Sequence, residues 1–218
     1  MTEFGAARAH MIESQLRPNK VMDGRVLGAF AEIRREFFVP EHLRAVAYID
    51  ADLPIGGGRY LMEPMVVARL LQAAMIERTD TILIIGAGTG YEAAVAAMLA
   101  RSVIALEDNP ELARRSRAAL VDHSIASVSV VEEPLSQGYR PRAPYDVILF
   151  CGTVVEVPSE IDSQLVEGGR LLATVKSASG IGRATLRTRT GGVLAQRVLF
   201  DAATPLLPGF SPKPAFVF

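Results

Sequence analysis

The chain has 218 residues, half of them hydrophobic, with 23 Lys and Arg against 24 Asp and Glu and a formal net charge of -1. So apolar a composition can offset chain entropy, which excludes a disordered or low-complexity protein, and so balanced a charge creates no field to draw in nucleic acid or anionic lipid. A single cysteine, Cys151, excludes an internal disulfide framework, and the charged, amphipathic stretch from Met1 to Leu16 does not read as a signal peptide, so the cytoplasm is the expected compartment.

In chain order, Phe4, Ala7, Met11 and Gln15 fall at helical spacing, and Asp23 is placed to cap a second helix carrying Val26, Leu27, Phe30 and Ile33. Pro40 opens a short helix through Tyr48. The segment Asp52 to Gly58 reads as a flexible loop, because three consecutive glycines disfavour a regular element. A helix is expected from Pro64 to about Ile76. Strands are then expected at Thr81 to Ile85, Ser102 to Leu106, Ser127 to Val131, Asp146 to Phe150 and Arg170 to Val175. Helices fall between them at Tyr91 to Leu99, Pro110 to Val121 with Asn109 as cap, and after Pro158. Alternating strands and helices imply a parallel sheet covered on both faces, and the alternation around Gly191 and Gly192 implies a closing antiparallel hairpin. The expected organisation is a helical extension with a loop over 1–76 and a core over 77–218, in one compact unit. Thr81 to Ala100 carries one charge, Glu92, over nearly a membrane's length, but its three glycines suit a strand, a turn and a helix better.

That turn is Gly86-Ala-Gly88-Thr-Gly90-Tyr91, placed after a strand and before a helix, where glycines let a ligand approach backbone N–H groups. Its spacing differs from the dinucleotide fingerprint, whose third glycine would fall at Tyr91, and matches the S-adenosylmethionine version. Glu107, about 20 residues on at the end of the next strand, is placed to accept both ribose hydroxyls. His10, His42 and His123 lie far apart and are expected at the surface, not around a metal, and Cys151, at the end of a buried strand, is expected either as a small core residue or as part of the lining of the ligand mouth.

With these residues stand Phe38-Val-Pro40, Asp52-Leu-Pro-Ile-Gly56, Ala143-Pro-Tyr-Asp146, Glu156-Val-Pro158, Gln164-Leu165 and Gly168-Gly-Arg-Leu171. In that order the chain resembles the protein-L-isoaspartate O-methyltransferases from about Met11 to Val175. The resemblance implies an α/β, Rossmann-like methyltransferase fold with a mostly parallel sheet, S-adenosylmethionine as donor, and methyl esterification of isoaspartyl carboxylates in damaged proteins or another acidic substrate. A monomer or weak dimer is expected, with no nucleic-acid or membrane partner. A carboxylate is already ionised at neutral pH, so the reaction asks for alignment and exclusion of water more than for a general base.

The chain departs from the family pattern at several positions. Met62 stands where the family carries the serine of its active loop, with Glu63 beside it and Arg59 as a compensating cation; Arg59 and Met62 are the candidate catalytic positions. The expected cofactor residues are Gly86, Gly88, Gly90, Tyr91, Glu107 and Glu133, while Ile84 and Pro134 replace two family acids. Two readings follow: an active S-adenosylmethionine-dependent methyltransferase acting on protein carboxylates or a diverged acidic substrate, for which isoaspartyl peptides are expected to be poor substrates, or a noncatalytic relative that binds S-adenosylmethionine or a protein partner.

Overall fold

The computed structural model describes residues 3–176, 180 and 182–210. Helix α1 (Glu3–Met11) widens into a π-helical turn at Ile12–Leu16. Helix α2 (Gly24–Glu32) starts at the expected cap, where the Asp23 carboxylate accepts from the Arg25 N–H at 2.8 Å. The element after Pro40 is a 3-10 helix at Glu41–Val46 instead of a longer helix through Tyr48.

The expected loop at Asp52 to Gly58 is a hairpin. Strand β1 (Leu53–Gly56) pairs antiparallel with β2 (Arg59–Leu61), and Gly56, Gly57 and Gly58 turn the chain with φ of 101°, 60° and 71°. The glycines do not prevent pairing here; they supply the left-handed backbone that so tight a reversal needs. Helix α3 (Pro64–Ala73) follows, ending before Ile76.

The rest alternates as expected: β3 (Thr81–Ile85), α4 (Tyr91–Ala97), β4 (Ser102–Glu107), α5 (Pro110–Asp122), β5 (Val128–Glu132), β6 (Tyr145–Val154), α6 (Ser159–Asp162) and β7 (Leu165–Lys176), closed by β8 (Gly182–Thr190) and β9 (Val193–Asp201). One seven-stranded sheet has the order β5-β4-β3-β6-β7-β8-β9, parallel from β5 through β7 and antiparallel beyond. The turn at Gly191 and Gly192 joins the two antiparallel strands. Thr81 to Ala100 resolves into β3, the glycine turn and α4, and no described helix is long and apolar enough to cross a membrane.

The strand period of two sorts side chains into two apolar layers. Ile82, Ile84, Val103, Ala105, Val147 and Leu149 join the layer under α1 to α5. Leu83, Ile85, Ile104, Leu106, Ile148 and Phe150 face the other way. That second face is covered by short pieces: Leu135 of a 3-10 turn, Ile161 of α6, and Leu207 and Phe210 from the segment after β9. The apolar, proline-rich stretch from Pro205 to Phe218 predicts a tail buried on its own domain, since such side chains left exposed would invite aggregation, and the burial is present at Leu207 and Phe210. The ring of Phe210 stands edge-on to Phe150 at 5.4 Å, and Leu207 N–H donates to the Thr153 carbonyl at 2.7 Å. Leu206 is exposed, and Phe216, Val217 and Phe218 lie outside the described residues.

The chain enters the sheet at β3, fills the positions on one side with β4 and β5, then crosses back to lay β6 on the other side. Such a switch point opens a crevice at the carboxyl ends of the strands, and ligands of open α/β sheets bind there.

Candidate functional site

At the carboxyl end of β3, Gly86, Gly88 and Gly90 all have left-handed backbone, with φ of 77°, 56° and 95°. The turn is held by the neighbouring strand, since the N–H groups of Gly86 and Ala87 both donate to the Leu106 carbonyl, at 2.9 and 3.0 Å. It is braced from below as well: the Thr89 hydroxyl donates to the Phe38 carbonyl at 2.5 Å, which gives the Phe38-Val-Pro40 motif a structural purpose.

Glu107, the last residue of β4, is fully buried and faces this turn. Its Oε2 accepts from Gly88 N–H at 2.7 Å and its Oε1 from Asn109 N–H at 3.0 Å. Oε2 also accepts from Arg59 Nη2 at 2.5 Å, and Asp108 Oδ1 stands 3.8 Å from the same nitrogen. Burial pushes the Glu107 carboxyl above the ordinary carboxylate range, while the Arg59 guanidinium and the two N–H groups pull it back.

Arg59 reaches Glu107 because the β1–β2 hairpin lies across the mouth of the crevice. Arg115 on α5 donates to the Ile55 carbonyl at 2.8 Å, and the hairpin turn packs on Asn109, whose Nδ2 would stand 2.5 Å from a Cβ on Gly57. From the opposite side comes the segment after β9. A Cβ on Gly86 would stand 2.7 Å from Leu207 Cδ1 and 3.0 Å from Arg59 Nη1; one on Gly88 would stand 2.6 Å from Ile55 Cδ1. Only about 10 Å³ is left open between Arg59, Cys151, Gly152 and Leu207. Cys151 sits at this roofed mouth, 5% exposed, with its thiol pushed up by burial.

The remaining predicted residues divide. Tyr91 does not line the crevice: its ring is fully buried against Phe30 and Phe38, at 6.0 and 5.5 Å, under the Arg35 guanidinium at 4.9 Å. Burial pushes its hydroxyl up to about 12. Met62 is likewise core, 1% exposed in the apolar layer under the helices, so it presents nothing to a substrate. The period of β2 turns Arg59 and Leu61 inward and Tyr60 outward and would turn Met62 outward; Met62 lies past the end of the strand, where the chain leaves that period before α3 and buries a second consecutive side chain. Ile84 belongs to the same layer. Glu133 and Pro134 are exposed beyond β5, where Glu133 borders a cavity of about 230 Å³ with Gln137, Tyr139 and Arg140. Of the histidines, His10 and His42 are exposed, whereas His123 is half-buried with its ring 5.3 Å from Phe37. Among the described residues no group of three His, Cys, Asp or Glu could hold a metal ion.

Sequence reasoning missed Ile55, Asn109, Arg115 and Leu207 as crevice residues. Asn109 was legible only as a helix cap, a task it also performs by accepting from Glu111 and Leu112 N–H at 3.0 and 3.2 Å. Leu207 was legible only as part of an apolar tail that had to be buried.

Behind the hairpin lies an acidic group. Glu63 N–H donates to Asp52 Oδ1 at 2.8 Å, and burial together with Asp50 and Asp52 raises the Glu63 carboxyl to about 7. Glu92, 2% exposed in the first turn of α4, is also raised to about 7, chiefly by burial; Met62 N–H at 3.3 Å and the nearby Arg35 act against this, and Asp52 with it. The raised value means that folded Glu92 holds its proton after the unfolded chain has lost it. The stability it contributes is thus complete below about 4.5 and is lost as pH rises to about 7, by roughly 3 kcal/mol. Glu92→Gln should therefore gain on the wild type by a margin that grows between pH 5 and pH 8. Urea unfolding at the two pH values measures it, and a constant margin would refute the assignment.

A family model described as protein-L-isoaspartate(D-aspartate) O-methyltransferase (PCMT) matches residues 6–199. The chain is 38% identical over 216 residues to the protein-L-isoaspartate O-methyltransferase of Koribacter versatilis, covering 97% of this chain and 96% of the relative. It is 41% identical over 168 residues to that of Methanoculleus marisnigri, covering 77% and 76%. Among solved structures, a protein-L-isoaspartate O-methyltransferase superposes with a TM-score of 0.81 at 25% identity, over 93% of this chain and 67% of the other. A beta-aspartate methyltransferase from Plasmodium falciparum in complex with S-adenosyl-L-homocysteine superposes with a TM-score of 0.78 at 17% identity, over 96% and 100%.

Proposed function

The chain belongs to the protein-L-isoaspartate(D-aspartate) O-methyltransferase family, and from that premise we propose that it esterifies the isoaspartyl carboxylates of damaged proteins in the crevice between the glycine turn and Glu107. The family uses S-adenosylmethionine, which supplies an electrophilic methyl group when bound. The observation that carries the reading is the turn itself: three left-handed glycines at a sheet switch point, facing a buried acid at the end of the next strand.

The polar groups fit the cofactor, since a carboxylate with two lone-pair-rich oxygens suits a ribose diol and the bare turn suits a close approach. The space does not fit in this conformation, because Arg59, Ile55 and Leu207 fill it. This closed crevice is also what favours the second reading, a relative that has kept the fold and not the turnover.

Incubation with methyl-labelled S-adenosylmethionine and an isoaspartyl peptide tests the proposal. Base-labile methyl ester should form on that peptide and not on its aspartyl isomer. Turnover should be slow, on the order of a hundredfold below what a loop with a serine donor supports, because the buried Met62 offers the acceptor no hydrogen bond. No label above the blank would overturn the reading in favour of the noncatalytic one.

A further inference from the structure

We propose that Arg59 is a built-in competitor for the cofactor: its guanidinium occupies the place on Glu107 that the ribose diol would take, so cofactor enters only when the β1–β2 hairpin gives way. The inference rests on the reading above, in which Glu107 is the ribose acceptor.

The ion pair is sealed from water, with Arg59 4% exposed and Glu107 not exposed at all. At 2.5 Å the guanidinium both hydrogen-bonds and neutralises the acid, whereas a diol donates hydrogen bonds without charge. Exchanging one for the other therefore leaves a buried carboxylate less compensated, a penalty that must come out of the affinity for cofactor. Volume adds to charge. Arg59 Nη1, Leu207 Cδ1 and Ile55 Cδ1 stand over Gly86 and Gly88 at distances that leave no room for a ligand on the turn.

The closed state is nevertheless poised to open. Arg59 Nε and Nη1 are buried without a hydrogen-bond partner, and each such donor costs free energy that is recovered when the side chain returns to water. The hairpin that carries Arg59 has a turn of three glycines, and it is tied to α5 by the Arg115 contact and by packing on Asn109. The strands of the hairpin are anchored in the core by Leu53, Ile55 and Leu61, so the parts that have to move are its three-glycine turn and the Arg59 side chain, and their movement frees the acid and the turn after β3 together. Leu207 belongs to a separate segment, held by the Thr153 backbone, so it is an independent part of the stopper.

Calorimetry with S-adenosylhomocysteine on the full chain, on Arg59→Ala and on Leu207→Ala tests this. Arg59→Ala should bind at least tenfold more tightly than the wild type, and Leu207→Ala by a smaller gain that reports space alone. Equal or weaker binding by a folded Arg59→Ala would overturn the proposal, since Arg59 would then be a bystander or a cofactor ligand. Should loss of the buried pair prevent folding, Leu207→Ala decides, and unchanged affinity there counts against the stopper. Absence of heat from every folded variant and from the wild type at millimolar ligand would overturn the cofactor reading itself and the competitor with it.

Discussion

Arg35→Met is expected to lower the unfolding free energy by about 3 to 5 kcal/mol, although Arg35 touches neither the glycine turn nor Glu107. The side chain is wholly buried; its Nε donates to the Ala47 carbonyl at 2.7 Å and its Nη2 to the Met62 carbonyl at 2.8 Å. Methionine restores the bulk but leaves both carbonyls unpaired in residues that are themselves buried, at about 1 to 3 kcal/mol each. It also removes the cation that lies over the Tyr91 ring and opposes the charges of Glu92, Asp52 and Glu63. Relief of the desolvated guanidinium works the other way and keeps the sum from growing larger. For a chain of this length the loss corresponds to a melting temperature lower by roughly 6 to 20 °C. Arg35→Lys should fall between, because an ammonium keeps the charge but lacks the planar fork that reaches two carbonyls at once. A thermal scan of the three proteins measures the order, and a methionine variant as stable as the wild type would show that the two carbonyls are satisfied in another way.

That arginine also marks the limit of what the sequence discloses. The parallel core was legible because β3, β4 and β6 are apolar on both faces and are punctuated by glycine and by the Asn109 cap, and such signals are local. The glycine turn and Glu107 were legible for the same reason, each being fixed by its place at a strand end. What joins across the chain was not. Nothing local in Arg59 distinguishes a substrate-binding cation from one that closes on a residue 48 positions away. Met62 stands where the family carries its serine, yet it lies between the end of β2 and the start of α3, where the chain abandons the strand's period of two and sends it into the core. Tyr91 follows the glycines in sequence, but the first turn of α4 carries its side chain toward Phe30 and Phe38, away from the crevice. The three glycines after Ile55 signal a break in the sequence because glycine lowers order in isolation; between two strands that can pair, the same freedom makes the turn.

Gly90→Ala is expected to cost about 2 to 5 kcal/mol and to take cofactor binding with it, through two separable causes. Gly90 caps α4 with φ 95° and ψ 9°, and an L side chain in left-handed backbone costs roughly 1 to 2 kcal/mol. The new methyl would also collide with Ser116 on α5, pressing on its Oγ and standing 3.3 Å from its Cβ and 3.5 Å from its Cα. The hydroxyl could rotate away, but the Cβ and Cα belong to a helix that would have to shift, and overpacking of that kind costs about 1 to 3 kcal/mol. Ser116 Oγ is buried without a partner, so removing it sacrifices no hydrogen bond. Adding Ser116→Gly should accordingly return the steric part, less about 1 kcal/mol for a glycine inside a helix, and should not return the backbone part. Urea unfolding of the two single variants and the double variant separates the causes. Strictly additive losses would mean that α4 and α5 do not meet at this glycine, and complete rescue would mean that its left-handed backbone costs alanine nothing.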